Sequence, residues 1–287
     1  YFVNEAAARE AVQRKEIYGY LSIPPKFEQD AITGQDATLS YYYHYALLSV
    51  GGELMAAFET ALTPVSLSPV VMQAVALGDQ ITTFLLPVQA SNHPIYNPSL
   101  DYSVYLSQPF FFVLFQILIL LTTVYAIGIE IKFRTVTDWL VAAKGNMVTA
   151  ILGKLLPYTI IYILIGWLAN YVMFGILHIP FQGSWWLMNI MTMLFIIATQ
   201  SLGLFLFSLF PAISLIISIV SMVGSLGATL SGVTFPVPNM YPLVRDASYL
   251  FPVRHFTEMM QNMLYGSGGF TQLWPSAMFL CIFPLLA

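Results

Sequence analysis

Apolar residues run in long unbroken blocks through the second half of the chain and in short alternating patches through the first. After Pro109, residues 110–129 hold twenty positions without a charge, enough for a helix to cross a hydrocarbon core of about 30 Å. Similar runs cover 155–177, 185–209 and 212–230, and residues 273–287 give a fifth that stops with the chain. Lipid offers no partner to a backbone N–H or C=O, so these blocks have to be helices. The expected spans are therefore 109–130, 151–177, 185–209, 212–230 and 273–287.

The first hundred residues read differently. Asn4 to Glu16 is polar and helix-compatible, Tyr18 to Ile23 is a short apolar strand, and Pro24-Pro25 opens a helix that runs through Lys26 to Ile32 and closes near Gly34. Ala37 to Tyr45 alternates and is rich in tyrosine and threonine, which favours a second strand. Pro64 and Pro69 divide residues 49–77 into two helices, and Thr82 to Gln89 is a further strand. Residues 1–105 are thus expected to form a small α+β domain, followed by a membrane domain over 106–287. In the aromatic run Tyr41, Tyr42, Tyr43 and Tyr45, the expected arrangement is a half-buried strand with wet hydroxyl tips. His44 and His93 lack partners at metal-ligand spacing.

Charge orients this arrangement. Only 8% of the 287 residues are charged and the mean hydropathy is +0.75, which excludes an ordinary soluble protein. Up to Asp101 the chain has ten acidic and four basic residues, and the remainder has four acidic and six basic ones. Four of those six basic residues lie between Ile129 and Lys154. This water-facing stretch between two spans belongs on the cytoplasmic side by the positive-inside rule. Counting crossings from it puts the acidic domain outside. Residues 175–184 then form an outer loop anchored by Trp185 and Trp186, Phe210-Pro211 is an inner turn, and residues 232–272 return to the outer side. The chain begins at Tyr1 without methionine or leader and stops inside an apolar run, so one span is expected before it and the last span is expected to be truncated. The single cysteine, Cys281, permits neither an intrachain disulfide nor a cysteine zinc cluster.

Several chemical motifs fail on inspection. Gly153-Lys154 is followed by Leu155 and lacks the spacing and hydroxyl of a phosphate loop. There is no Gly-x-Ser-x-Gly elbow, no His-Glu-x-x-His helix, and no carboxylate in mid-span to serve a proton relay. Ser231 to Pro242 breaks its helix with Gly232 and three prolines, Pro236, Pro238 and Pro242, and the apolar stretch Tyr249–Leu264 after it is too short to span. Re-entrant or interfacial helices fit that pattern. Asn170, Asn189 and Gln200 read as interhelical hydrogen-bonding residues, Arg254 and Glu258 as a local helical pair, and the adjacent Arg245 and Asp246 as residues that do not face each other. Gly224, Gly227 and Gly232 fit either a close helix approach at a dimer seam or ordinary small residues facing lipid.

Other features match a known family over nearly the whole chain. Gly19-Tyr20-Leu21-Ser22-Ile23-Pro24-Pro25-Lys26-Phe27-Glu28 with Ile32-Thr33-Gly34 resembles the extracytoplasmic segment that membrane subunits of ABC-2 type exporters carry between their first two spans. Asn97-Pro98 and the run from Pro109 resemble the entry to their second span, and Gly153-Lys154-Leu155-Leu156-Pro157 the start of their third. Leu230-Ser231-Gly232 with Phe235-Pro236 and Met240, then Phe251-Pro252-Val253-Arg254-His255-Phe256, is similar to their outer hairpin. Residues 129–154 correspond to the family's coupling segment: Glu130, Thr135 and Leu140 match, while Lys132 stands where a second acid is usual and Arg134 where glycine is usual.

The resemblance implies an α-helical polytopic membrane domain of the ABC-2, type V exporter kind with an extracytoplasmic α+β domain, in a bacterial cytoplasmic (inner) membrane. It implies a permease subunit that moves a hydrophobic or amphiphilic substrate outward, working with a second permease subunit and with separate nucleotide-binding ATPase subunits that carry the ATP and magnesium. This chain itself needs no cofactor or metal, and a membrane-fusion protein is a further expected partner; nucleic acid is not. The implied coupling loop comprises Glu130, Lys132, Arg134, Thr135, Asp138, Trp139 and Leu140, with Trp139 and Leu140 facing a groove on the ATPase. The implied outer gate comprises Ser231, Gly232, Phe235, Pro236, Met240, Pro242 and Pro252. The competing reading is a non-transporting scaffold whose outer domain binds an envelope partner; a secondary transporter ranks third for want of an intramembrane carboxylate.

Overall fold

The computed structural model describes residues 2, 4–13, 16–27, 29–30, 37–44, 51–62, 88–95, 102–179, 181, 183–233, 237, 240–265 and 270–287. The chain divides into two compact units, Tyr1–Tyr105 and Leu106–Ala287.

In the first unit, helix α1 (Glu5–Gln13) starts after Asn4, whose side-chain oxygen accepts the Ala7 N–H at 2.8 Å. Strand β1 (Gly19–Ser22) pairs antiparallel with β2 (Ala37–His44), and β3 (Val88–Ile95) runs parallel to β2 on its other edge. Helix α2, residues 51–62, lies within the β2–β3 connection, where a parallel pair needs a crossover. Alternation along β2 divides its tyrosines: Tyr41 and Tyr43 are buried with Leu39 and Leu62, whereas Tyr42 stacks on Tyr20 at 4.8 Å and on His93 at 4.7 Å. The wet-tip expectation therefore fails for Tyr41 and Tyr43, which make the core of this unit. His44 is also buried, and His93 pairs with the Ser91 hydroxyl at 3.0 Å.

Two expected elements are described only in part here. Strand β3, Val88–Ile95, overlaps the strand expected at 82–89 at residues 88 and 89, and it tolerates Pro94 because it is an edge strand. The helix expected from Pro24 is present at its start: a turn at Pro25-Lys26 leads into helical residues 27, 29 and 30, with Phe27 N–H bonded to the Pro24 carbonyl at 3.1 Å and Asp30 N–H to the Lys26 carbonyl at 2.9 Å. Its end near Gly34, Tyr45, the second helix after Pro64 and residues 82–87 lie outside the described residues.

The second unit is helical: α3 (Tyr102–Lys132), α4 (Val136–Ala142), α5 (Met147–Asn170) extended by a π-helical turn over Tyr171–Ile176, α6 (Trp185–Leu209), α7 (Ile213–Leu230), α8 (Pro242–Ser248), α9 (Pro252–Tyr265) and α10 (Phe270–Leu286). Four stretches are long and apolar enough to cross a membrane, Leu106–Lys132, Met147–Ile176, Trp185–Leu209 and Ile213–Leu230, and Leu273–Leu286 is a shorter apolar helix. Helix α5 begins four residues before the expected 151 because the Asn146 side chain caps it, accepting the Thr149 N–H at 3.2 Å.

Helices α3 and α6 are largely covered, while α5 and α7 expose most of their surface. The centre is aromatic: Phe112 of α3, Phe195 of α6 and Phe256 of α9 are all buried, with ring centroids 4.5–6.1 Å apart. Glycines let α7 approach α3 closely. A Cβ on Gly224 would lie 2.6 Å from Ile117, and one on Gly227 would lie 2.7 Å from the Gln116 amide. These two glycines therefore serve packing within the chain and mark neither a dimer seam nor a lipid face. Gly232 adopts φ +86° at the end of α7, a conformation that glycine permits.

Polar residues inside the spans join α5 to α6, as their positions suggested. The Asn170 amide donates to Asn189 Oδ1 at 3.1 Å and to the Thr192 hydroxyl at 3.0 Å, and the Thr159 hydroxyl donates to Gln200 Oε1 at 2.8 Å.

Candidate functional site

Glu130 closes the last turn of α3 and faces Lys154 on the second turn of α5, 24 residues later. The two form an ion pair, and Glu130 also accepts from the Thr135 hydroxyl. Their side chains are only 17% and 19% exposed, so the pair is mostly withdrawn from solvent. The Lys154 ammonium sits 5.4 Å from the centroid of the Trp139 ring as well, in cation–π contact. Trp139 packs against the buried cluster of Leu120, Val124, Ile127, Leu155, Phe207, Ile216 and Val220. One lysine thus joins the end of α3, the middle of α4 and the start of α5.

The turns around α4 share one geometry. Thr135 N–H bonds the Glu130 carbonyl at 2.9 Å and Arg134 N–H the Ile131 carbonyl at 3.2 Å; ten residues on, Gly145 N–H bonds Leu140 at 2.8 Å and Lys144 N–H bonds Val141 at 3.0 Å. Both are Schellman closures, which place one residue in the left-handed region. Arg134 (φ +58°) and Lys144 (φ +54°) hold those places. A side chain there costs about 1–2 kcal/mol, but each cation lies against the negative end of the helix it terminates, which contributes about 0.3–1 kcal/mol in return. The glycine usual at the Arg134 position in the resembling family has a direct backbone reason.

Helix α4 buries no residue completely. Trp139 and Leu140 are half-buried, Trp139 against the cluster of its own bundle, whereas Val141 is 77% exposed, with Asp138 and Lys144 exposed beside it. Lys132 and Arg134 are exposed, Lys132 lying 5.8 Å from the Phe133 ring. Between α4 and α5 is an open groove of 480 Å³ lined by Trp139, Ala142, Ala143, Thr149, Ala150, Gly153 and Lys154.

The far end of the bundle holds the expected gate residues. Ser231 is buried, donating to the Ala228 carbonyl at 2.7 Å and accepting from Val233 N–H at 3.4 Å. Met240 is buried, Pro242 opens α8 and Pro252 opens α9; Phe235 and Pro236 lie outside the described residues. The N-terminus of α9 is capped from α3, because Gln116 Oε1 accepts the Val253 N–H at 2.9 Å. Glu258 accepts both from Arg254 Nη1 at 2.9 Å and from the Ser276 hydroxyl at 2.8 Å, so the i,i+4 pair also ties α9 to α10. Arg245 and Asp246, expected not to face each other, approach to 3.6 Å on the exposed surface of α8.

A family model described as "ABC-2 family transporter protein" matches residues 1–287. The chain belongs to the ABC-2 transporter family. Among curated relatives of this ABC-2 chain, the "Inner membrane transport permease YhhJ" of Escherichia coli (strain K12) is 31% identical over 104 residues, 35% of this chain and 27% of the relative. The "Probable multidrug ABC transporter permease YbhS" of the same organism is 25% identical over 134 residues, 45% of this chain and 35% of the relative. The chain's matches thus span about a quarter to a third of these relatives' length. No solved structure matches the chain.

The sequence of this ABC-2 chain did not mark the Lys154–Glu130 pair, the exposure of Val141 or Gln116 as the cap of α9. A carboxylate at Glu130 within a segment of excess basic charge was a signal for the first. Nothing local marks the other two, since exposure and cross-helix capping arise only when the helices assemble.

Proposed function

We propose that this chain belongs to the permease subunit of an ATP-binding cassette exporter in a bacterial inner membrane. It moves a hydrophobic or amphiphilic substrate out of the cytoplasm or inner leaflet, with ATP and magnesium held by separate ATPase subunits. Two permease subunits line the path, and the first unit lies on the outer side. The observation that carries this reading is the Glu130–Lys154–Trp139 clasp. It makes a short, charged, water-facing helix rigid with two spans, as is needed if the push of a closing ATPase is to tilt those spans rather than bend a loop.

The amphiphile assignment draws support from α7, whose exposed face carries Ser214, Ser218, Ser221, Ser225 and Thr229 at helical spacing. Beside them Leu215, Met222 and Leu226 are exposed as well, so a path along this face offers hydroxyls and apolar surface together.

The test is purification of the full-length protein with its ATPase and comparison with Val141→Asp. That change lies on an exposed position, so it is expected to leave thermal stability unchanged while most of the ATPase is lost. Wild-type protein that retains no ATPase and pulls down envelope proteins instead would replace the exporter with the scaffold.

A further inference from the structure

The groove between α4 and α5 joins two features not accounted for by coupling. Its lining combines small residues, Ala142, Ala143, Ala150 and Gly153, with one aromatic residue, Trp139, and one cation, Lys154. Above it, Leu156, Ile160 and Leu164 continue the Gly153 face along α5 at helical spacing, each more than half exposed. From Gly153 to Leu164 that apolar track rises about 16 Å. A basic, aromatic-lined recess at the end of a span, opening onto an exposed apolar track, has the polarity of one phospholipid lying along a helix.

We infer that this groove holds an anionic phospholipid, its phosphate facing Lys154 and its acyl chain lying on Leu156, Ile160 and Leu164. Charge selects the occupant. The segment from Ile129 to Lys154 has four cations, Lys132, Arg134, Lys144 and Lys154, against Glu130 and Asp138. Lys154 lines the groove and gives one of its three donors to Glu130, so its ammonium has further donors for an anion. Lys144, next in sequence to the lining residue Ala143, is exposed. Trp139 supplies the amphipathic ring that interfacial sites favour. The inference rests on placing this loop at the membrane surface and not on transport, so it stands or falls apart from the exporter reading.

Gly153 gives a clean probe, because a Cβ added there meets nothing within 4 Å. Gly153→Phe fills the groove from an open helix position and leaves Lys154 and Glu130 in place. The experiment is native mass spectrometry of the full-length protein in detergent, titrated separately with dioleoyl phosphatidylglycerol and dioleoyl phosphatidylcholine. Wild-type protein is expected to retain one phosphatidylglycerol about tenfold more strongly than phosphatidylcholine, the preference that between one and two interfacial lysines supply. Gly153→Phe is expected to abolish that one tight site, and Lys144→Gln to weaken it about threefold to fivefold. Equal retention of the two lipids by the wild type, or undiminished phosphatidylglycerol retention by Gly153→Phe, overturns the inference. Loss of the ATPase from Gly153→Phe with lipid retention intact also overturns it, and makes the groove a protein docking site.

Discussion

Breaking the Glu130–Lys154 pair should loosen the whole α4 end of the bundle. A fully exposed pair is worth about 0.2–1 kcal/mol, whereas removing one partner of a buried pair costs about 3–5 kcal/mol because it strands the other charge. With both side chains less than a fifth exposed and Glu130 also receiving the Thr135 hydroxyl, this pair lies toward the buried limit. Glu130→Gln and Lys154→Gln are each expected to cost about 2–3 kcal/mol, and the double variant much less than their sum. Lys154→Gln also gives up the cation–π contact with Trp139, so it should be the more damaging single change. In thermal unfolding of the full-length protein, about 2 kcal/mol corresponds to a Tm lower by about 4–8 °C. The charge-reversed pair, Glu130→Lys with Lys154→Glu, should recover part of the loss. Single variants within about 0.5 kcal/mol of wild type, with an additive double variant, would show that the pair is solvated and that α4 is not held by it.

Three further outcomes follow from the packing. Gly227→Ala places a Cβ against the Gln116 amide, Phe251 and Val253, so it should lower stability by about 1–3 kcal/mol in thermal unfolding, with Gly153→Ala, where the space is open, near neutral. Asn170→Leu removes the bonds to Asn189 and Thr192 and should cost about 0.6–1.7 kcal/mol in SDS-induced unfolding; an unchanged midpoint would mean that those bonds contribute nothing. Arg134→Gly relieves a left-handed side chain and should raise stability by up to about 1 kcal/mol, and a drop in Tm would show that the charge matters more than the backbone.

The hydrophobic pattern alone made the spans legible. Residues 185–209 and 212–230 were read within a residue of α6 and α7, because a helix in lipid has to be continuous and apolar and any break shows as Pro, Gly or charge. The charged segment 129–154 was equally plain, as was the pairing of α5 with α6 through Asn170 and Gln200, since an amide in mid-span has few other places to bond. Legibility stopped where a residue's role depends on what faces it. Trp139 and Val141 lie two positions apart on one short helix, and nothing in their order says which turns inward. Gly224 and Gly227 were compatible with a seam between copies until Ile117 and Gln116 were found against them.

What the sequence determined by itself is therefore the one-dimensional part: which segments are membrane-spanning helices, where they are interrupted, which loop carries the positive charge, and which family the motifs resemble. Those properties follow from local hydropathy, backbone hydrogen bonding and residue geometry, all of which act within a few turns of chain. The tertiary structure alone decided that Lys154 reaches back 24 residues to Glu130, that Gln116 caps a helix 137 residues away, and that the inner face of α4 belongs to its own bundle. Each of these is a contact between segments far apart in sequence, and its energy exists only once the helices have packed.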